Sequence, residues 1–169
     1  VALTHPDIQA NLWTNIKEIP GNGLDDDGNG YKDDINGWDF FDDDADPTGI
    51  DTHGTHVAGI IGAASDNSTG ITGVCWNTAE IMALKISGVE QFTTTENIIK
   101  AIDYAVSNGA KVINASWGGG AYNDAAGDIL RDAIEDAGKA GVLFVAAAGN
   151  DGENSDSSPM YPAAYSLDC

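Results

Sequence analysis

Basic residues, cysteines and long apolar runs are scarce in this sequence. Only 7 of its 169 residues are Lys or Arg, against 27 Asp or Glu, which gives a formal net charge of −20. Such a chain repels nucleic-acid phosphates and anionic membrane surfaces, so we exclude both as partners. No stretch approaches the roughly 18 apolar residues of a membrane-spanning helix. Cys75 and Cys169 are too few for a disulfide framework and leave open one bridge or two free thiols.

The acidic residues concentrate in residues 25–51, which hold eleven Asp and a single Lys. A block this acidic is either a solvated loop or is loaded with cations. Within it, DDDGNGYKDDIN at 25–36 resembles an EF-hand-type or dockerin-type loop, whose hard oxygen ligands suit calcium rather than zinc. In that register the predicted calcium ligands are Asp25, Asp27, Asn29, the Tyr31 carbonyl, Asp33 and Asn36, with Asp34 as a substitute for the atypical Asn36. The run at 42–46 is less specific, and we expect a solvated surface there rather than another ion.

Residues 1–51 are rich in Gly, Asn and Asp, and we expect them to form mainly loops. From residue 52 onward the apolar pattern predicts helices over 56–64, 93–108 and 124–140 and strands over 81–86, 111–116 and 142–148. Thr94 or Thr95 is the expected cap of the second helix, and Ile129 and Ile134 are expected to face inward on the third. This alternation predicts an α/β fold with a mainly parallel sheet and functional side chains at the carboxyl ends of its strands.

Two short motifs fall where chemistry is expected in such a sheet. His53 opens a helix of small residues in HGTHVAG at 53–59, where an imidazole that titrates near neutral pH suits a general base. A structural histidine at a helix start, or a metal-dependent hydrolase site formed by Asp51, His53 and His56, stays open from the residues alone. Asn150 ends AAAGN at 146–150, where its amide suits a developing oxyanion, although a turn asparagine fits the same position.

In their order and spacing these motifs resemble the subtilisin-like serine proteases. The matching segments are THPD at 4–7, HGTHVAG at 53–59, residues 65–73, NASWGG at 114–119, AAAGN at 146–150 and YPA at 161–163. The resemblance implies a three-layer α/β/α fold, incomplete at both ends, in which 1–169 is part of a catalytic domain and 25–51 is an inserted calcium loop. It implies that His53 is the triad base and that Asn150 holds the oxyanion. It also implies substrate contacts from Gly88, Ser116, Trp117, Gly118, Ala147, Ala148 and Gly149.

The same resemblance shows which parts of the machinery this chain lacks. The family's triad Asp would precede Val1 by about three positions, and its Gly-Thr-Ser-Met-Ala nucleophile segment has no match here. We therefore expect a calcium-dependent endopeptidase in the complete protein and no activity from this chain alone. A calcium-binding pseudoprotease or regulatory module is the rival interpretation.

The resemblance further implies a second calcium site and a set of partners. Its ligands would be Asp7, the Asn67 side chain and the carbonyls of Ser65, Thr69 and Ile71. The expected partners are protein or peptide substrates and either the remainder of the catalytic domain or a propeptide. The expected location is extracellular.

Overall fold

The computed structural model describes residues 1–49, 52–88, 93–119 and 125–167, which divide into two compact units, Val1–Thr93 and Thr94–Cys169. The first unit contains a short 3-10 helix, Gln9–Asn11, strands β1 (Gly37–Asp39) and β2 (Ala83–Lys85), and helix α1 (Thr52–Gly62). The second unit contains helices α2 (Thr95–Ser107) and α3 (Ala125–Lys139) and strands β3 (Val112–Ala115) and β4 (Leu143–Ala146). The predicted helices and strands are thus confirmed, with ends shifted by up to four residues, the largest shift being at the start of α1.

Strand β1 is an element that the sequence pattern does not predict, within a stretch that otherwise consists mainly of loops, as expected. It pairs in parallel with β2, with Gly37 opposite Ala83 and Asp39 opposite Lys85. The two backbones lie so close that a Cβ atom on Gly37 would be 1.9 Å from the Ala83 carbonyl oxygen. A three-residue strand that contains glycine and aspartate shows no apolar alternation, so its pairing partner decides its conformation.

The second unit places two strand ends side by side. β3 and β4 pair in parallel, from Val112 opposite Leu143 to Ala115 opposite Ala146. Helix α3 connects them and packs against α2. Because parallel strands end at the same edge of a sheet, the residues that follow Ala115 and Ala146 emerge next to each other.

The two long helices of the second unit bear out most of their predicted detail. The Thr94 side chain accepts the backbone N–H of Asn97 and so caps α2. On α3, Leu130, Ile134 and Ala137 are buried, whereas Ile129 is 58% exposed. The prediction for Ile129 is therefore wrong, because the buried positions follow the helical repeat from Leu130 and Ile129 lies one residue outside that face.

Two further findings concern membrane crossing and the cysteines. Among the described helices, none combines the length and the apolar character needed to cross a bilayer. Cys75 is a free, partly buried cysteine, and Cys169 lies outside the described residues.

We expect Gly37→Ala to destabilise the first unit strongly, because the new methyl group would push the Ala83 carbonyl out of the β1–β2 pairing. The φ angle of Gly37 is +126°, a conformation that L-residues rarely adopt, which adds strain. We expect a loss of about 3 kcal/mol or more in the free energy of unfolding, measured with urea. Gly21→Ala is the matched control, since Gly21 has a φ of +73° but no atom within 4 Å of its Cβ position, so we expect a loss of about 1 kcal/mol. Equal losses in the two variants would contradict the close approach of β1 to β2.

Candidate functional site

The acidic loop of the first unit folds around the side chain of Asp25. One oxygen of Asp25 accepts the backbone N–H groups of Gly28 and Asn29 at 2.7 and 3.0 Å, and the other accepts that of Gly30 at 2.8 Å. The Asn29 side-chain oxygen accepts the N–H of Tyr31 at 2.7 Å. These bonds close a tight turn, with Gly28 and Gly30 both at positive φ.

Three carboxylates converge beside this turn. Oxygens of Glu18, Asp25 and Asp27 all lie within 4.8 Å of one another. Lys17 lies 3.6 Å from Asp27, but its side chain is largely exposed. Carboxylates this close repel one another in the folded state, and a divalent cation with oxygen ligands relieves that repulsion. The donor chemistry of the cluster therefore fits calcium.

Glu18 is a member of this cluster that the loop pattern does not include. It is buried, and its Oε1 accepts the backbone N–H groups of Asp26 and Asp27 at 2.8 and 3.1 Å. Its Oε2 accepts the N–H of Asp33 at 2.9 Å. Because Glu18 precedes the twelve-residue loop pattern in the chain, no ligand spacing within that pattern points to it.

Asp34 and Asn29, two more predicted ligands, form a buried polar network at the base of the loop. Asp34 is fully buried and accepts the side-chain amides of Asn29 and Asn15 at 2.9 and 3.0 Å. The Asn15 amide also lies 3.3 Å from Asp27. The Asn15 side-chain amide therefore ties the loop to the chain before it, next to the ion pair between Lys17 and Asp27.

Asp33 and Asn36 have partners outside the three-carboxylate cluster. Asp33 accepts the backbone N–H groups of Asn22 and Gly23 at 3.1 and 2.8 Å. The Asn36 side chain donates to the Trp13 carbonyl at 2.7 Å. The structure thus brings Asp25 and Asp27 together and gives Asp33 and Asn36 bonds that hold the loop to its surroundings.

The second predicted calcium site centres on Asp7, which is buried. Its Oδ1 accepts the Asn67 side-chain amide at 2.9 Å, and its Oδ2 accepts the Ile71 N–H at 2.8 Å. The bond from Asn67, followed by that from Ile71, lowers the pKa of Asp7 below its ordinary value of 3.8, although burial opposes the shift. Gly70 makes this approach possible, because its φ is +54° and a Cβ atom there would lie 2.2 Å from Asp7 Oδ2. The structure therefore brings Asp7, Asn67 and Ile71 together.

The remaining residues of this predicted site lie on the same loop. Thr69 donates its N–H to the Asn67 side-chain oxygen at 3.0 Å. Ser65 exchanges two bonds with the Asn77 side chain, of 2.8 Å from its N–H and 3.3 Å to its carbonyl. Among the described residues, the buried Ser65 hydroxyl has no hydrogen-bond partner. A cavity of about 520 Å³, lined in part by Asp7, opens beside this loop.

His53 lies in the first turn of α1 with an exposed side chain. His56 is also exposed on α1, and Asp51 lies outside the described residues. Within the part of the chain that the structure describes, neither histidine belongs to a group of three metal-capable side chains. Gly88, the predicted substrate contact of the first unit, is half-buried and follows Lys85, the last residue of β2, by three positions.

The start of the chain lies against the helix that carries His53. The Ala2 N–H donates to the Thr55 hydroxyl at 2.8 Å. The backbone nitrogen of Val1 lies 3.6 Å from the position of a Cβ atom on Gly54. The residues around Val1 are therefore held beside the first turn of α1.

The predicted substrate contacts of the second unit meet at the carboxyl ends of β3 and β4. Ala147 donates its N–H to the Ala115 carbonyl at 3.1 Å, which extends the pairing one residue beyond the strands. Residues 116–118 and 147–149 then leave adjacent strands at the same edge, and Asn150 follows with an exposed side chain. The structure thus gathers six predicted contacts and the predicted oxyanion donor on one edge of this sheet.

Met160 lies between these two segments, although no local pattern singles it out. A Cβ atom on Gly118 would lie 3.3 Å from Met160 Sδ, and one on Gly149 would lie 2.9 Å from Met160 Cε. Gly119 and Tyr161 exchange two backbone hydrogen bonds of 2.9 Å, which fix the neighbouring Met160 at this position. The glycines at 118 and 149 therefore leave room for a side chain that arrives from a later part of the chain.

Trp117 is held from the side by a second aromatic ring. Its ring meets that of Phe144 edge-on, with the centroids 6.4 Å apart. Beside it, the Ser116 hydroxyl accepts the Asn114 side-chain amide at 2.8 Å. These contacts keep the side chains at the end of β3 in defined orientations.

The sequence matches the subtilase family over residues 1–167. It is 41% identical to thermitase from Thermoactinomyces vulgaris over 129 residues, which are 76% of this chain and 43% of thermitase. It is 34% identical to subtilisin-like protease 1 from Plasmodium falciparum (isolate 3D7) over 156 residues, which are 92% of this chain and 22% of that protein. The chain thus spans less than half of the length of these relatives.

Solved structures of related proteins share the fold. Fervidolysin from Fervidobacterium pennivorans, a keratinolytic enzyme related to subtilisin, matches with a TM-score of 0.69 and 29% identity, over 98% of this chain and 22% of that one. A cold adapted subtilisin-like serine proteinase matches with a TM-score of 0.63 and 28% identity, over 96% of this chain and 47% of that one. These likenesses confirm the predicted α/β fold of the subtilisin type.

We expect part of the acid sensitivity of this protein to come from Asp7. Because the pKa of Asp7 in the folded protein lies below 3.8, its contribution to stability is complete above that pH and is lost as the pH falls through the folded pKa. Asp7→Asn should therefore be less stable near neutral pH and lose less stability on acidification, as measured by thermal unfolding between about pH 7 and about pH 2. Asp66→Asn changes an exposed carboxyl in the same loop and should keep the wild-type pH dependence. Parallel pH curves for wild type and Asp7→Asn would refute this role.

Proposed function

Because the chain belongs to the subtilase family, we propose that the complete protein is a serine endopeptidase that hydrolyses peptide bonds with an Asp–His–Ser triad. In this proposal His53 is the general base and Asn150 stabilises the oxyanion. The observation that carries it is the family match over residues 1–167, within which both residues stand at exposed ends of regular elements. His53 occupies the first turn of α1, and Asn150 follows β4.

In the proposed mechanism, His53 transfers a proton and Asn150 stabilises a developing negative charge. His53 takes the proton of the attacking serine and later returns it to the leaving amine. Asn150 donates a hydrogen bond to the carbonyl oxygen as negative charge develops on it. The triad Asp and Ser would come from parts of the complete protein outside this chain.

The proposed substrate is an extended peptide, bound by main-chain hydrogen bonds at the ends of β3 and β4. Residues 116–118 and 147–149 would flank it, as in the addition of a strand to a sheet. Met160 lies against both Gly118 and Gly149, which supports its assignment to the wall of the first specificity pocket. Gly88 is a further proposed contact of the peptide.

We propose that calcium stabilises the protein at the acidic loop. Glu18, Asp25 and Asp27 would supply carboxylate oxygens, and the convergence of these three groups within 4.8 Å supports this assignment. Asn29 and the Tyr31 carbonyl are further ligands in the predicted register. Asp34, Asp33 and Asn36 would then support the loop through the hydrogen bonds that they already make.

A second calcium ion is proposed at Asp7. Its ligands would be Asp7, Asn67 and the carbonyls of Ser65, Thr69 and Ile71. In the structure Asn67 turns its amide nitrogen to Asp7, so binding would require that amide to present its oxygen instead. The buried Asp7 carboxylate and the adjoining cavity support the assignment.

Exposed apolar side chains support further contacts in the complete protein. Val74 is 83% exposed and Trp76 55% in the first unit, and Leu143 is 62% exposed on the second. Apolar surface of this kind is normally covered in a folded protein, so we propose that the rest of the catalytic domain or a propeptide covers it. Dependence on calcium suits the high extracellular concentration of that ion, and we propose that the protein is secreted.

We expect Asn150→Ala in the complete protein to lower kcat by about 100- to 1,000-fold with little change in KM, because the amide acts on charge that develops in the transition state. His53→Ala should remove nearly all activity, and Asp151→Asn, a change in the exposed neighbour of Asn150, should leave both constants unchanged. A mixed peptide library identifies a cleaved sequence, and steady-state hydrolysis of that single peptide measures kcat and KM. A wild-type protein that cleaves no peptide would contradict the proposal and favour a pseudoprotease.

We expect two calcium ions per protein by titration calorimetry, and one in Glu18→Gln, since this change removes a charge from the three-carboxylate cluster. Asp7→Asn should lose the other ion. Glu80→Gln alters an exposed carboxyl and should bind two. At a calcium concentration 100 times Kd, each site should add about 2.7 kcal/mol to the free energy of unfolding. Two ions bound by Glu18→Gln would place the calcium away from this cluster.

A further inference from the structure

A cluster of three charged residues joins the acidic block to the end of β2. Lys85, the last residue of β2, donates from Nζ to Asp39 Oδ2 at 2.5 Å and to Asp42 Oδ2 at 2.6 Å. The side chain of Asp39 is 1% exposed, that of Lys85 20% and that of Asp42 53%. We name Lys85, Asp39 and Asp42 the Lys85 cluster. Its bonds give Asp42, predicted to be part of a solvated surface, a specific partner.

The turn that carries the two aspartates holds Lys85 by its backbone as well. Phe40 donates its N–H to the Lys85 carbonyl at 2.7 Å. The Oδ1 of Asp39 accepts the N–H groups of Phe41 and Asp42 at 2.8 and 3.0 Å, so both of its oxygens have donors. The Phe41 ring centroid lies 5.8 Å from Lys85 Nζ. The main chain and the side chain of Lys85 are therefore fixed by one turn.

Lys85 and Asp42 each stabilise the charged form of the other. Burial favours the neutral amine of Lys85, but the hydrogen bonds to Asp39 and Asp42 outweigh it and raise the pKa of Lys85 above 10.5. The bond from Lys85 in turn lowers the pKa of Asp42 below 3.8. Lys85 and Asp42 are therefore charged throughout the neutral pH range, and the attraction between them persists there.

The segment that this cluster anchors leads directly to a proposed substrate contact. Ile86, Ser87 and Gly88 follow Lys85 and continue the chain beyond the carboxyl end of β2. Three residues can span only about 10 Å, so the place of Gly88 depends on the place of Lys85. Movement of Lys85 would move the backbone that the peptide is proposed to pair with.

We propose that Lys85 is a positioning residue for substrate binding, which holds residues 86–88 in the place where they contact an extended peptide. This inference rests on the peptidase function proposed above. We expect these main-chain contacts to bind the ground state and the transition state alike, so that their loss raises KM and leaves kcat unchanged. A substrate too short to reach residues 86–88 should not respond.

The variants are made in the complete protein and separate positioning from folding. Lys85→Met alone leaves the Asp39 carboxylate buried without a cation, which is strongly destabilising. The double variant Lys85→Met/Asp39→Asn removes that unpaired charge, and Asp42→Asn removes only the exposed partner. Lys85→Arg keeps the charge. Lys139→Met is the matched control, because Lys139 also bonds two carboxylates, Glu135 and Asp136, but is largely exposed on α3.

Steady-state kinetics are measured with an extended peptide and with a single-residue ester, with enzyme concentrations set by active-site titration. For the peptide, we expect the double variant to raise KM about tenfold at unchanged kcat, and Asp42→Asn to raise it by a smaller factor. Lys85→Arg should restore most of the wild-type KM, and Lys139→Met should leave it unchanged. For the ester, KM should not change in any variant.

Two results would overturn the inference while the peptidase function stands: an unchanged peptide KM in the folded double variant, or equal increases of KM for peptide and ester. If the double variant does not fold, the test is made with Asp42→Asn. A ratio of peptide KM to ester KM that is the same in Asp42→Asn as in the wild type then overturns the inference. A wild-type protein that hydrolyses neither substrate overturns the proposed function and this inference with it.

Discussion

The burial of carboxylates is the constraint on which the first unit depends. With 27 acidic and 7 basic residues, the chain cannot pair each carboxylate with a cation. Asp7, Glu18, Asp34 and Asp39 are nevertheless buried. Each accepts N–H groups from the backbone or from side-chain amides, and Asp39 adds the ammonium group of Lys85. Because a buried carboxylate without donors is strongly unfavourable, the loops must fold so that their N–H groups surround these side chains.

The need to surround carboxylates with N–H groups also shapes the two turns that we connect with function. The turn around Asp25 leaves three carboxylates close together, and their oxygens are ligands of the kind that calcium binds. The turn around Asp39 places a carboxylate where it fixes the end of β2, and with it the approach to Gly88. The turns around Asp25 and Asp39, which surround carboxylates with N–H groups and also serve the proposed functions, therefore lie in the same acidic block, residues 25–51.

The second unit depends on backbone geometry rather than on charge. Two parallel strands end at one edge, and the segments that follow them carry the proposed substrate contacts and Asn150. Glycines at 118 and 149 lack the side chains that would collide with Met160. The edge is thus shaped by small residues from β3 and β4 and by one large side chain from elsewhere in the chain.

Much of the fold and of the site follows from the residues because the relevant signals are local. The helical repeat predicts α2 and α3, Thr94 marks the start of α2, and the apolar runs predict β2, β3 and β4. The order of the motifs around His53 and Asn150 identifies the family. The alternating oxygen-bearing residues from Asp25 onward predict calcium ligands, whereas only the structure shows that backbone N–H groups of this turn meet the Asp25 carboxylate.

By itself, therefore, the sequence determined the kinds of element, their order, the family and the candidate catalytic residues. The tertiary structure alone decided that Gly37–Asp39 is a strand, that Glu18 joins Asp25 and Asp27, and that Met160 reaches Gly118 and Gly149. It also decided that Lys85 bonds Asp39 across 46 positions of the chain. Periodicity and motif spacing report only on neighbours along the chain, whereas each of these contacts joins residues that come together only when separate segments pack.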